Sequence, residues 1–162
     1  MQTLVVGYGN TLRGDDGVGY WVAEQVAAWN LPEVTTIACH QLTPELAANL
    51  AECDRVIFVD ATLPGTQTEV KWRSLSPSDT TTLDAHRSDP AELLRLAVQL
   101  YDAAPSAQHL LLPTAEMDFS ETLSAIAQAG LDDALPQLRK RLTEDIQAGQ
   151  HDNLGEHWRE KR

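Results

Sequence analysis

The sequence predicts a three-layer α/β/α single domain built on a mostly parallel, twisted sheet of about five strands. Short β-rich apolar runs alternate with stretches whose apolar residues recur at helical spacing, which is the pattern of βαβ units. The first run passes straight into a glycine-rich turn and then a helix. The chain of 162 residues is 43% hydrophobic and 22% charged, enough to bury one core without metal or disulfide staples.

The elements follow in order. Residues 3–6 form an apolar run expected to be buried on both faces, ending in Gly7-Tyr8-Gly9-Asn10. Asp15 and Asp16 stand where they can cap a helix whose Val18, Val22 and Val26 mark one face, with Trp29 nearly in line. A strand over 35–39 leads to Thr43-Pro44, read as N-cap and first helical position of a helix to about residue 51. The strand 55–59 ends at Asp60, and Pro64-Gly65 turns the chain into an alternating strand over 69–73. Residues 74–84 are polar and rich in Thr and Ser, an exposed loop. Asp89-Pro90-Ala91-Glu92 combines N-cap, N1 proline and capping-box acid, so a helix runs over 90–101. A last strand covers 109–112, and helical patterns follow over 120–129 and 135–148. The domain is therefore set at 1–148, with 149–162 a polar C-terminal tail.

A formal charge of −12 argues against nucleic-acid and membrane-surface partners. No apolar run reaches the roughly 20 residues that span a bilayer, and no secretory signal pattern opens the chain. Cys39 and Cys53 lack CxxC spacing and read as core packers in a reduced, cytoplasmic protein.

Chemistry in such a sheet is sought beyond the carboxyl ends of its strands. Gly7-Tyr8-Gly9 suggests a dinucleotide fingerprint, but Leu12 occupies its third glycine position. Asp15 and Asp16 would also face the pyrophosphate, so no nucleotide cofactor is expected. The same turn instead holds Asp16 over the sheet edge. Asp60 follows the third strand, and His86 precedes the helix at Pro90. Two carboxylates and an imidazole form an O₂N set that suits Ni²⁺ or Zn²⁺ with positions left open, better than Mg²⁺. Each residue also has a plainer reading: Asp15 and Asp16 as helix caps, Asp60 as a turn residue, His86 as a solvated loop residue. His40 and His109 read as structural. His151, Asp152 and His157 fall in the tail. No Gly-x-Ser-x-Gly, His-Glu-x-x-His or phosphate-loop motif is present.

The run from Gly7 through Gly14-Asp15-Asp16-Gly17 to Gly19 resembles the opening signature of the [NiFe]-hydrogenase maturation endopeptidases. Val59-Asp60-Ala61 resembles that family's second signature, Ala85-His86 its third, and Met117-Asp118-Phe119 with Leu123-Ser124 its C-terminal region. Arg87-Ser88-Asp89 after the histidine departs from the family's usual residues there. The resemblance spans about residues 1–145 and implies a hydrolase that removes the C-terminal extension of a hydrogenase large-subunit precursor after nickel insertion. It implies nickel contacts at Asp16, Asp60 and His86, the nickel coming with the precursor, and Asp16 and Asp60 as catalytic candidates. Members serving bidirectional NAD-linked hydrogenases are the most similar. Whether a metal polarises the scissile carbonyl or a carboxylate acts as general base stays open. The alternative function is a non-catalytic nickel-sensing adaptor or metallochaperone for hydrogenase assembly.

Overall fold

The computed structural model describes residues 1–79 and 89–159, with side chains as far as Glu144. Five strands make one sheet: β1 (Thr3–Tyr8), β2 (Val34–Cys39), β3 (Arg55–Ala61), β4 (Lys71–Leu75) and β5 (Ser106–Leu112). Their order is β2-β1-β3-β5-β4. Three of the four pairings are parallel, and the edge strand β4 runs antiparallel to β5. Among the described residues four helices cover the sheet: α1 (Val18–Ala27), α2 (Leu46–Ala51), α3 (Pro90–Tyr101) and α4 (Ala125–Arg159). A single 3₁₀ turn, Gly14–Gly17, leads into α1.

Strand side chains alternate between faces, and the two cores follow that period. Val5, Ile57, Val59, Leu110 and Leu112 meet Val18, Val22 and Val26 of α1 and Leu131, Ala134, Leu138 and Leu142 of α4. Leu4, Val6, Val56, Phe58 and Ala107 meet Ala47 and Leu50 of α2 and Leu93, Leu94 and Ala97 of α3. The sheet is thus sandwiched between α1/α4 and α2/α3. Cys39 and Cys53 pack against the second core as free thiols, and burial raises both pKa values, Cys53 to about 11. Gly19 lets α1 lie directly on the sheet, because a Cβ there would collide with the carbonyl oxygens of Val59 and Tyr8.

Several boundaries differ from the sequence expectation. β1 and β3 continue through Tyr8 and Ala61, so Asp60 lies inside its strand, paired with Leu111, rather than in a turn after it. β4 sits two residues later than 69–73 and takes in Ser74 and Leu75. Pro44 precedes rather than opens α2: the chain enters it through Leu46 N–H to Thr43 and Ala47 N–H to Pro44 carbonyl bonds, without a side-chain cap. Asp89 caps α3 as expected, its Oδ1 accepting the Ala91 N–H at 2.8 Å ahead of Pro90. The two C-terminal helical patterns are one helix, which starts at Ala125 and includes Pro136. Residues 120–124 instead form a turn, closed by the Thr122 N–H donating to Ser120 Oγ, and Ser124 Oγ accepts the Ala127 N–H to start the helix. Buried Leu131 and Ala134 before the proline and Leu138 and Leu142 after it hold α4 to the sheet across the missing backbone donor. The helix has no break at 148; its described backbone continues to Arg159.

Candidate functional site

The chain leaves β1 toward β2 on one side, through α1, and places β3 on the other. The carboxyl ends of β1 and β3 therefore flank the topological switch point, where open α/β sheets bind their ligands. Asp16 and Asp60 are brought to this crevice. His86 lies outside the described residues, as do the side chains of His151, Asp152 and His157.

The turn after β1 is built to present Asp16. Gly9 adopts a φ of 144°, and a Cβ on it would collide with the Asp16 carbonyl, so a side chain there would push the two arms of the turn apart. Asn10 Oδ1 accepts the Leu12 N–H at 2.9 Å and its carbonyl accepts the Arg13 N–H at 3.0 Å. The Asn10 N–H in turn donates to Asp16 Oδ2 at 3.0 Å, which fixes the half-buried carboxylate over its own loop.

Asp15 does something else. It makes no cap; its side chain is fully buried and reaches a loop a hundred residues away. Oδ2 accepts the Ala115 N–H at 2.8 Å, the Glu116 N–H at 3.0 Å and the Ser124 hydroxyl at 2.6 Å, while Oδ1 accepts the Ser124 N–H at 2.7 Å. Burial pushes its pKa up, but these four bonds together outweigh burial and hold it below the ordinary carboxylate value. The sequence reading missed this role. Neighbouring residues of a 3₁₀ turn point about 120° apart, so the Asp15-Asp16 pair carries a signal: the two carboxylates leave the turn in different directions and meet different partners.

Asp60 Oδ1 accepts the N–H of Ala61 at 2.7 Å, and its Oδ2 lies 3.8 Å from His109 Nε2. The imidazole also meets the Tyr8 hydroxyl at 3.2 Å. Burial, and secondarily the charge of Arg73, push the His109 pKa down to about 4, so at neutral pH it faces Asp60 as a neutral ring and makes no ion pair with it. His109 is thus structural, as expected, yet it stands against a site carboxylate. His40, at the end of β2, is exposed and lies edge-on to Tyr20. Among the described residues no group of three or more His, Cys, Asp or Glu side chains is arranged to hold a metal ion. Asp16 and Asp60, the two oxygen donors of the expected set, lie among the described residues; the expected nitrogen donor, His86, does not. A cavity of about 520 Å³ lined by Arg55, Gln108, Gln137, Lys140, Arg141 and Glu144 opens at the other end of the sheet, by the first residue of β3, away from these carboxylates.

The class that this architecture defines is the α/β fold of the hydrogenase maturation proteases. Among solved structures, the hydrogenase maturating endopeptidase HybD from E. coli superposes with a TM-score of 0.74 over 90% of this chain and 94% of its own, at 22% identity. The [NiFe] hydrogenase maturation protease HycI from Thermococcus kodakarensis gives 0.71 over 88% and 92%, at 18% identity. The hydrogenase 2 maturation peptidase from a Thaumarchaeota archaeon gives 0.64 over 88% and 98%, at 23% identity. No family model and no curated protein matches the chain.

Proposed function

We propose that this protein is an endopeptidase that removes the C-terminal extension of a [NiFe]-hydrogenase large-subunit precursor once nickel has been inserted. The observation that carries this is the pair Asp16 and Asp60, each fixed by a backbone N–H at the switch point of a sheet shared with solved maturation proteases. In this reading the nickel arrives with the substrate. Asp16 and Asp60, with His86 as the third contact, complete its coordination sphere, so an empty precursor offers nothing to grip. Hydrolysis adds water across one peptide bond. A carboxylate at this edge is the group suited to take the water's proton, which is then passed to the departing amine. On this reading the substrate is the precursor of a bidirectional NAD-linked hydrogenase, the subtype the overall sequence match most resembles, and the protein works in the cytoplasm.

Mass spectrometry of a precursor incubated with the purified protein tests the proposal. A large subunit shortened only when nickel-loaded supports it. A loaded precursor that is bound but stays intact supports a nickel-sensing adaptor instead.

A further inference from the structure

The loop 113–124 between β5 and α4 is pinned at several points. Asp15 accepts the N–H groups of Ala115, Glu116 and Ser124, and the Asp15 N–H donates to the Glu116 carbonyl at 3.0 Å. The Ser120 N–H donates to the Leu12 carbonyl at 2.9 Å, and the Gly14 N–H to the Ser120 carbonyl at 2.7 Å, which ties the loop to the turn that carries Asp16. Met117 and Leu123 both pack against the core under α1 and α4. Between these two anchors Phe119 is 85% exposed, and Leu12, whose carbonyl holds the loop, is 42% exposed. A slack loop would fold its phenyl ring inward; a loop held at 115, 116, 120 and 124 keeps it out. Glu116, Asp118 and Glu121 of the same loop are exposed, as is Arg13, which is bridged to Ser120.

We infer that Phe119, with Leu12, is a docking anchor for the polypeptide substrate, taking an apolar side chain of the precursor from a stretch that also carries Lys or Arg. Buried aromatic anchors dominate binding at protein interfaces. The three exposed carboxylates of this loop outnumber Arg13, and on a chain of net charge −12 they favour a basic stretch and repel an acidic one. The anchor rests on the protease reading for the identity of its partner, and it lies on the loop that borders the proposed cutting site.

Fluorescence anisotropy of the labelled nickel-loaded precursor, read alongside its cleavage, tests this. Phe119→Ala should weaken binding about tenfold and raise KM rather than lower kcat, as loss of an interface anchor does. Phe119→Tyr should restore both, and Glu121→Lys should weaken binding and flatten its salt dependence. Melting temperatures should stay at the wild-type value, since the ring touches little of its own chain. Binding of Phe119→Ala within twofold of wild type overturns the anchor, and wild-type cleavage in that same experiment leaves the protease reading standing. Phe119-dependent binding without cleavage supports the anchor and sinks the protease reading instead. A wild-type protein that neither binds nor cuts the precursor overturns both.

Discussion

Asp15→Ala separates two accounts of the same residue. As a helix cap, Asp15 would contribute about 0.5–2 kcal/mol. In the structure its carboxylate accepts four hydrogen bonds at 2.6–3.0 Å, three of them from backbone N–H groups. Removing a buried charge that satisfies several donors costs about 3–5 kcal/mol. The exposed flanks at Ala115 and Glu116 admit water to two of those donors, so about 4 kcal/mol is expected, on the scale of a broken buried pair. For a domain of this size each kcal/mol lowers Tm by roughly 2–4 °C, so the transition should fall by about 8–16 °C. Urea titration followed by circular dichroism, with calorimetry as a second probe, measures both quantities. The same linkage has a pH sign: because Asp15 is held below its ordinary pKa, its contribution is complete above that value and is lost as pH falls through the lowered one. A loss under 2 kcal/mol would refute the account of a latch between the two loops.

Three further outcomes follow from the geometry. His109 ionises near 4 in the fold against 6.5 unfolded, so stability should decline as pH drops across that interval, by about 3 kcal/mol at roughly 1.4 kcal/mol per pKa unit; His109→Gln should flatten that limb in pH-dependent urea titrations. Asp16→Asn and Asp60→Asn should each abolish processing of the nickel-loaded precursor while changing the unfolding free energy from urea titration by less than about 1 kcal/mol; wild-type cleavage by both would remove the carboxylates from the chemistry. Gly19→Ala should cost about 1–3 kcal/mol as an overpacking change, because α1 must lift from the Val59 and Tyr8 carbonyls; an unchanged calorimetric Tm would show that the helix has room there.

Much of this protein was legible from local pattern. The continuous apolar runs at Leu4-Val5-Val6 and Val56-Ile57-Phe58-Val59 gave strands buried on both faces, the valines of α1 gave its inner face, and Asp89-Pro90 gave the start of α3. These signals are local because an apolar run, a helix face and a helix cap are all decided by neighbours in sequence. The placement of Asp60 at the carboxyl edge was legible too, since strand direction follows from the βαβ pattern.

Tertiary structure alone decided the rest. That β1 sits between β2 and β3, which puts Asp16 and Asp60 at one crevice, depends on which strands pair, and strand pairing leaves no mark within a single segment. Asp15 and Asp16 look interchangeable in sequence, yet one is buried against residues 115–124 and the other holds its own turn, because each carboxylate goes where donors wait for it. The two C-terminal helical patterns join into one α4 with Pro136 inside it, since the apolar stripe on both sides of the proline gains more from packing than one backbone bond loses. His109 was an unremarkable strand residue until the pairing of β3 with β5 brought it against Asp60, near the Tyr8 hydroxyl. Side-chain chemistry and period are properties of the chain, but the partners of a buried charge are properties of contacts made across a hundred residues.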